Sequence, residues 1–230
     1  MLTLFLNFKN PARKLAVPVV GLLLLAGCQS VSLKDLTPWT KSSPLAYKPT
    51  NTFSVDFLPA DFSRVAVLPV SHNQDAENQL SFLTRTFLSE LNGKANLEAI
   101  AVDSKTLNQL TGKSQWNSTD SLPPELLLRI RDQYRADGVL FTDLTHYYPY
   151  KPISVGIRCK MADAVTGEIL WSADTVYNAG NQKVQDAALD FQRKKSGSPF
   201  PLKDSGSILQ SPLYFSRFVA SSMLDTLPRR

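Results

Sequence analysis

Residues 153–161, ISVGIRCKM, and 168–177, EILWSADTVY, alternate apolar and polar side chains on either side of a DAVTG segment. In the first run Val155, Ile157, Cys159 and Met161 fall on one face of an extended chain, and Gly156, Arg158 and Lys160 on the other. A period of two belongs to strands, because a helix repeats every 3.6 residues. With Gly167 in the connection, the two runs predict a β-hairpin with one buried face. Arg158 and Lys160 then stand against Glu168 and Asp174, charges able to pair across the ladder. Cys159 reads as a buried free thiol on the apolar face. Strands of this length and alternation also suit a membrane-spanning barrel. A helix-covered hairpin explains them more simply, and we take that reading.

The rest of the chain supplies the helices. RVAVLPV (64–70) reads as a short buried strand. Leu80, Leu83, Phe87 and Leu91 then recur at helical spacing, with Ser71, Asn73 and Asp75 as candidate caps and Gly93 as the stop. LEAIAV (97–102) is a second strand, SKTLNQLTG (104–112) a short helix, and LPPELLLRIRDQYRADG a longer one showing Leu127, Ile130 and Tyr134 on one face. VLFTDLTHYYPY is the third strand and precedes the hairpin. A polar, basic stretch with Arg193, Lys194 and Lys195 follows it. A last helix places Tyr214, Phe218 and Met223 on one side. The order β-α-β-α-α-β-β-β-α predicts an α/β fold (α+β in its mixed sheet) with helices packed on the sheet.

The amino-terminal part reads differently. Lys9, Arg13 and Lys14 precede an apolar run from Leu15 to Ala26, the plan of a secretory signal peptide. The run is too short to cross a bilayer, which takes about 20 residues. Its ending, Leu25-Ala26-Gly27-Cys28, resembles the bacterial lipobox. That resemblance implies cleavage before Cys28, a diacylglyceryl group on its thiol and acylation of the new amino terminus. Gln29 and Ser30 follow, with no aspartate after the cysteine, which by the same resemblance implies the outer membrane, facing the periplasm. Several acyl chains anchor a protein stably, whereas one does so only marginally. The expected layout is a signal peptide (1–27), a lipidated terminus and tether (28–63) and a single periplasmic domain (64–230). The tether is rich in Ser, Thr, Pro and Lys. As a flexible coil, residues 29–63 would reach about 30–35 Å. Trp39, Tyr47, Phe53 and Phe57 punctuate it and are candidates to dock on the domain or on a neighbouring copy.

Cleavage also changes the charge. The chain carries 25 basic and 20 acidic residues, and the signal holds three of the basic and none of the acidic. The remainder is 22 against 20, a net of +2, so nucleic acid is set aside as a partner.

Catalytic signatures are sparse. No nucleophile elbow, zinc-protease helix, P-loop or glycine-rich dinucleotide fingerprint occurs. The two histidines, His72 and His146, lack neighbours at ligand spacing, so no metal or cofactor is expected. His146 follows Asp143 by three residues, which on a regular strand puts the two on opposite faces. The rival enzymatic reading is a periplasmic hydrolase that brings Asp143 together with a histidine and a serine in a cleft. HYYPYKP (146–152) is the most unusual surface candidate. Tyr147, Tyr148 and Tyr150 either pack against the tether or form a contact surface for a protein or glycan.

The lipobox, the VAVLPV strand, ADGVLFTDL, DAVTGEILW and the terminal amphipathic helix together resemble the curli-secretion lipoprotein superfamily. That group includes the curli and Pel export lipoproteins and a lipoprotein activator of a penicillin-binding protein. The likeness spans roughly residues 64–227 and implies a domain like the amino-terminal domain of the TolB translocation protein. It implies a non-enzymatic outer-membrane lipoprotein, a scaffold or accessory component of a cell-envelope assembly such as polymer export. The alternative it implies is a tethered activator of a peptidoglycan synthase. Its partners would be the outer membrane, envelope proteins and further copies of itself. The curli exporter's additional barrel-forming hairpins have no counterpart here, which removes the pore itself.

Overall fold

In a computed structural model, which describes residues 47–72, 77–94, 97–123, 125–196 and 208–229, the alternating runs lie at the heart of a six-stranded sheet. Cys28, the signal segment, Trp39 and the candidate caps Asn73 and Asp75 lie outside the described residues. The strands are β1 (Asn51–Ser54), β2 (Arg64–Val67), β3 (Glu98–Ala101), β4 (Gly138–Tyr148), β5 (Ser154–Asp163) and β6 (Ile169–Asn178). The helices are α1 (Glu77–Asn92), α2 (Ser104–Thr111), α3 (Leu126–Tyr134), α4 (Gln182–Ser196) and α5 (Pro212–Leu224). Across the sheet the order is β1-β6-β5-β4-β2-β3. β2 runs parallel to β3 and β4, while the β4–β5, β5–β6 and β6–β1 pairs are antiparallel. The fold is α/β with a mixed sheet, as the element order predicts.

β5 and β6 form the predicted hairpin. Gly167 takes φ +73 in its turn, a left-handed conformation that glycine adopts freely. Asp163 Oδ1 accepts from the N–H groups of Val165 (2.7 Å) and Thr166 (2.8 Å), fastening the same turn.

Two elements were not anticipated. β1 is a four-residue edge strand, NTFS, exposed along its whole length, so it carries no apolar alternation to announce it. α4 occupies the stretch read as polar and basic. Its Val184, Ala187 and Ala188 are buried and Phe191 packs against the same core, at the i, i+3, i+4, i+7 spacing of an amphipathic helix. In α5 the buried stripe runs through Phe215, Phe218 and Met223, and Tyr214 points outward.

Helices cover the two sides of the sheet unequally. On one side α1, α4 and α5 bring Phe87 and Leu91, Val184 and Ala188, and Phe215 and Phe218 into one core with Val67, Ile157, Met161, Trp171 and Tyr177. Cys159 is fully buried in this layer, and burial pushes its thiol pKa up, which keeps it a poor nucleophile. On the other side α2 and α3 contribute Leu107, Leu126 and Ile130, and Trp116 joins them over Ala66, Leu68, Val139 and Phe141. That second layer reaches β2 and the first half of β4. No described helix covers the same face of β1, β6, most of β5 and the far end of β4.

Residues 47–63 are built into the domain. Tyr47 meets Tyr177 edge-on at 5.2 Å between ring centroids, β1 pairs with β6, and Phe62 is buried in the core. Phe53 and Phe57 stay exposed.

Asp137 secures the start of β2. Its Oδ2 accepts from the N–H of Ser63 (2.9 Å), the hydroxyl of Ser63 (3.1 Å) and the N–H of Arg64 (2.8 Å). Burial alone would raise its carboxyl pKa, but these bonds and the Arg64 charge outweigh it and hold the carboxyl below the ordinary value. A lowered folded pKa stabilises the fold above the unfolded pKa of about 3.9, and that stability is lost as pH falls through the folded value. Asp137→Ala is therefore expected to destabilise by about 2 kcal/mol at pH 7. Urea denaturation of both proteins from pH 7 down to pH 2 should show the gap closing at the acid end. A gap independent of pH would contradict the assignment.

Candidate partner-binding face and its cleft

The functional candidates gather on the uncovered half of the sheet, and one irregularity puts them there. β4 pairs Asp143 with Arg158 and Leu144 with Ile157, then skips a residue and pairs His146 with Gly156. Thr145 is the extra residue of a β-bulge. In a regular strand Asp143 and His146 would face opposite ways, as the sequence spacing predicts. The bulge corrects that reading and turns both onto the uncovered face. Gly156 makes it possible. A Cβ there would sit 2.6 Å from Thr145 Oγ1, 2.9 Å from His146 Cβ and 3.1 Å from the His146 backbone nitrogen. A glycine inside a strand is itself a sign of a bulge or a close approach, so the signal was present in the sequence.

Beyond the end of β2 this geometry opens a cleft of about 300 Å³, lined by His72, Asn117, Thr119, Asp143, Thr145, His146 and Arg158 among others. It lies on the carboxyl side of β2, where the chain leaves toward β3 on one hand and β4 pairs on the other. Ligands favour such switch points in open α/β sheets. Both histidines of the chain meet here although they are remote in sequence.

The wall formed by residues 115–118 is fastened at several points. Ser118 donates its N–H to Asp143 Oδ1 at 2.8 Å and its hydroxyl to Asp143 Oδ2 at 2.5 Å. The Lys160 ammonium donates to the Ser118 carbonyl. Gln115 exchanges two hydrogen bonds of 3.3 Å with the His72 backbone, and the Ser71 hydroxyl donates to Asn117 Oδ1 at 2.5 Å. Ser71 is in turn pinned to β4 through Thr142 and Leu144.

Asp143 and both histidines line one cleft and Ser118 is bonded to Asp143 from its wall, which brings together the residue types a hydrolase would need. Its chemistry is that of a brace. A nucleophilic serine keeps its oxygen open to substrate and its proton on a base. Ser118 is only 7% exposed, Asp143 only 5%, and the carboxylate takes the hydroxyl and the amide of the same residue. Among the described residues no group of three or more His, Cys, Asp or Glu side chains could hold a metal ion.

The three tyrosines part company. Tyr147 turns to the helix-covered side, half-buried near Leu144 and the Leu80–Leu83 part of α1, and desolvation raises its phenol pKa. Tyr148 and Tyr150 stay on the surface at 46% and 70% exposure, edge-on to each other at 5.6 Å between centroids. Val176 and Phe53, 50% and 53% exposed, stand on the same face of β6 and β1, with the Arg158–Asp174 pair between them. Arg158 Nε donates to Asp174 Oδ2 at 2.8 Å, the cross-strand pair expected from the sequence. Lys160 does not join Glu168, because the register sets it opposite Ser172 while Glu168 sits at the turn beside Asp163; its ammonium bonds the Ser118 carbonyl.

No protein-family model matches the chain, and no curated protein matches it. Among solved structures, the PelC dodecamer from Paraburkholderia phytofirmans is 13% identical, with a TM-score of 0.46, over 78% of this chain and 96% of that one. Lipoprotein GNA1162 from Neisseria meningitidis is 15% identical, with a TM-score of 0.41, over 60% and 99%. The LpoB C-terminal domain from Salmonella enterica is 18% identical, with a TM-score of 0.34, over 50% and 82%. At these values the neighbours transfer no residue's role. No described helix is long and apolar enough to cross a membrane.

Proposed function

We propose that this protein is a lipid-anchored accessory component of the outer membrane, facing the periplasm, that docks an envelope protein on the uncovered half of its sheet. The observation that carries the docking is the exposed apolar surface of Tyr148, Tyr150, Val176 and Phe53 on a face without a helix layer. Antiparallel strands such as these commonly leave one face to water, so it is the exposed aromatic and aliphatic side chains on that face that mark an interaction site. Aromatic side chains rimmed by paired charges suit a protein partner. The signal segment and Cys28 support the anchor.

Intact mass of the protein extracted from membranes tests the anchor. The expected species begins at Cys28 and carries three acyl chains, and Cys28→Ala leaves the outer-membrane fraction. An unlipidated soluble product, or an unchanged distribution of Cys28→Ala, would overturn it. The native mass of the detergent-solubilised protein separates the two kinds of accessory role. A closed ring built from head-to-tail contacts supports an export component. A monomer that co-purifies with a cell-wall synthase supports a tethered activator.

A further inference from the structure

We propose that the cleft beside Asp143 binds a single oxyanion group, a carboxylate or a phosphate, held by the Arg158 guanidinium together with Thr119, Thr145 and His146. The inference stands on the cleft alone and does not need the docking face to be occupied.

The cleft is pre-formed. Its wall is bonded to Asp143, Lys160, Ser71 and the His72 backbone, so little ordering remains to be done on binding. Its acceptors are already used. Both oxygens of Asp143 are taken by Ser118, and Asn117 Oδ1 is taken by Ser71. Its donors are not. Arg158 uses Nε on Asp174, and among the described residues its two terminal nitrogens make no hydrogen bond. The Thr119 and Thr145 hydroxyls and the His146 ring also make none there, and all four side chains line the same cleft. A cleft with donors to spare, and with each oxygen of its carboxylate already accepting a hydrogen bond, favours an acceptor-rich ligand. A planar guanidinium whose two terminal nitrogens are free keeps one edge that matches an oxyanion bidentately. Arg158 and Lys160 offset Asp143 and Asp174, so an incoming anion meets no net negative charge. The volume, about 300 Å³, is at the small end for ligand sites and admits the charged end of a larger molecule.

The test is a titration of the ¹⁵N-labelled, detergent-solubilised full chain, followed by amide and side-chain shifts. The probes are inorganic phosphate and acetate. Saturable shifts at Thr145, His146 and Arg158 are expected with at least one of them. Arg158→Gln should weaken binding at least about tenfold and Thr119→Ala about threefold, while Asp174→Asn, which releases Nε, should bind at least as well. Two paired probes identify the source. Acetyl-diglycine against its amide reports a peptide carboxylate, and glucuronate against glucose reports an acidic sugar. A preference for either charged member supports the site and names its ligand class. No saturable shift with any oxyanion, equal binding of the amide or of glucose, or unaltered affinity in both Arg158→Gln and Thr119→Ala would overturn it. If Arg158→Gln does not fold, the Thr119→Ala and Asp174→Asn results decide.

Discussion

Gly156→Val is expected to lower the stability of the fold by about 2–3 kcal/mol, the upper end of what overpacking in a close-packed region costs. The contacts dictate the size. The new Cβ alone meets Thr145 Oγ1 at 2.6 Å and the His146 Cβ and backbone nitrogen at 2.9 and 3.1 Å, and two of these three atoms cannot swing away as a side-chain tip can. Gly156→Ala should destabilise as well, by about 1–2 kcal/mol. In an ordinary strand the sign would be reversed, because alanine loses less conformational entropy than glycine. Chemical denaturation therefore reads the bulge directly. A neutral or stabilising Gly156→Ala would mean that β4 is regular and that Asp143 and His146 do not share a face.

Trp171→Ala should be the most damaging single change, at about 3–5 kcal/mol. Trp171 is fully buried on the helix-covered side of β6, opposite Met161 of β5, and is the largest side chain in that layer. Its ring nitrogen donates to Thr226 Oγ1 at 2.9 Å, and that hydroxyl donates onward to the Met223 carbonyl at 2.7 Å. The indole thus ties the hairpin to the end of α5. Trp171→Phe keeps an aromatic ring in place but loses three ring atoms, the N–H among them, so it should cost less, about 1–3 kcal/mol. Equal losses in the two variants would show that the hydrogen bond, not the packing, holds the hairpin to the helix.

These two positions also show what could be read from residue order. The layer around Trp171 was legible, since a period of two over Val155, Ile157, Cys159 and Met161 forces one face inward whatever else the chain does. α1 was legible for the same reason at a period of 3.6. β1 was not, because an exposed edge strand has no buried face to impose a pattern. α4 was missed through its high polarity, although Val184, Ala187, Ala188 and Phe191 carry the helical spacing. The cleft could not be assembled from spacing. Its groups come from the ends of β2 and β4, the α2–α3 loop and β5, and the meeting of Asp143 with His146 depends on one extra residue in one strand. The members of the aromatic run do not stay together in the fold. Tyr147 belongs to the α1 side, and only Tyr148 and Tyr150 belong to the open face.

The most direct test of the docking face is site-specific photo-crosslinking in intact cells. A photoreactive residue at Val176, in the middle of the open face, should yield a discrete adduct whose second component is an envelope protein, identified by mass spectrometry. The same residue at Leu128, exposed on α3 above the covered half of the sheet, should not yield it. Adding Tyr148→Ala and Tyr150→Ala should reduce the Val176 adduct severalfold, as loss of aromatic anchors does at interfaces. Equal adducts from Val176 and Leu128, or a Val176 adduct indifferent to both tyrosines, would contradict the assignment of this face.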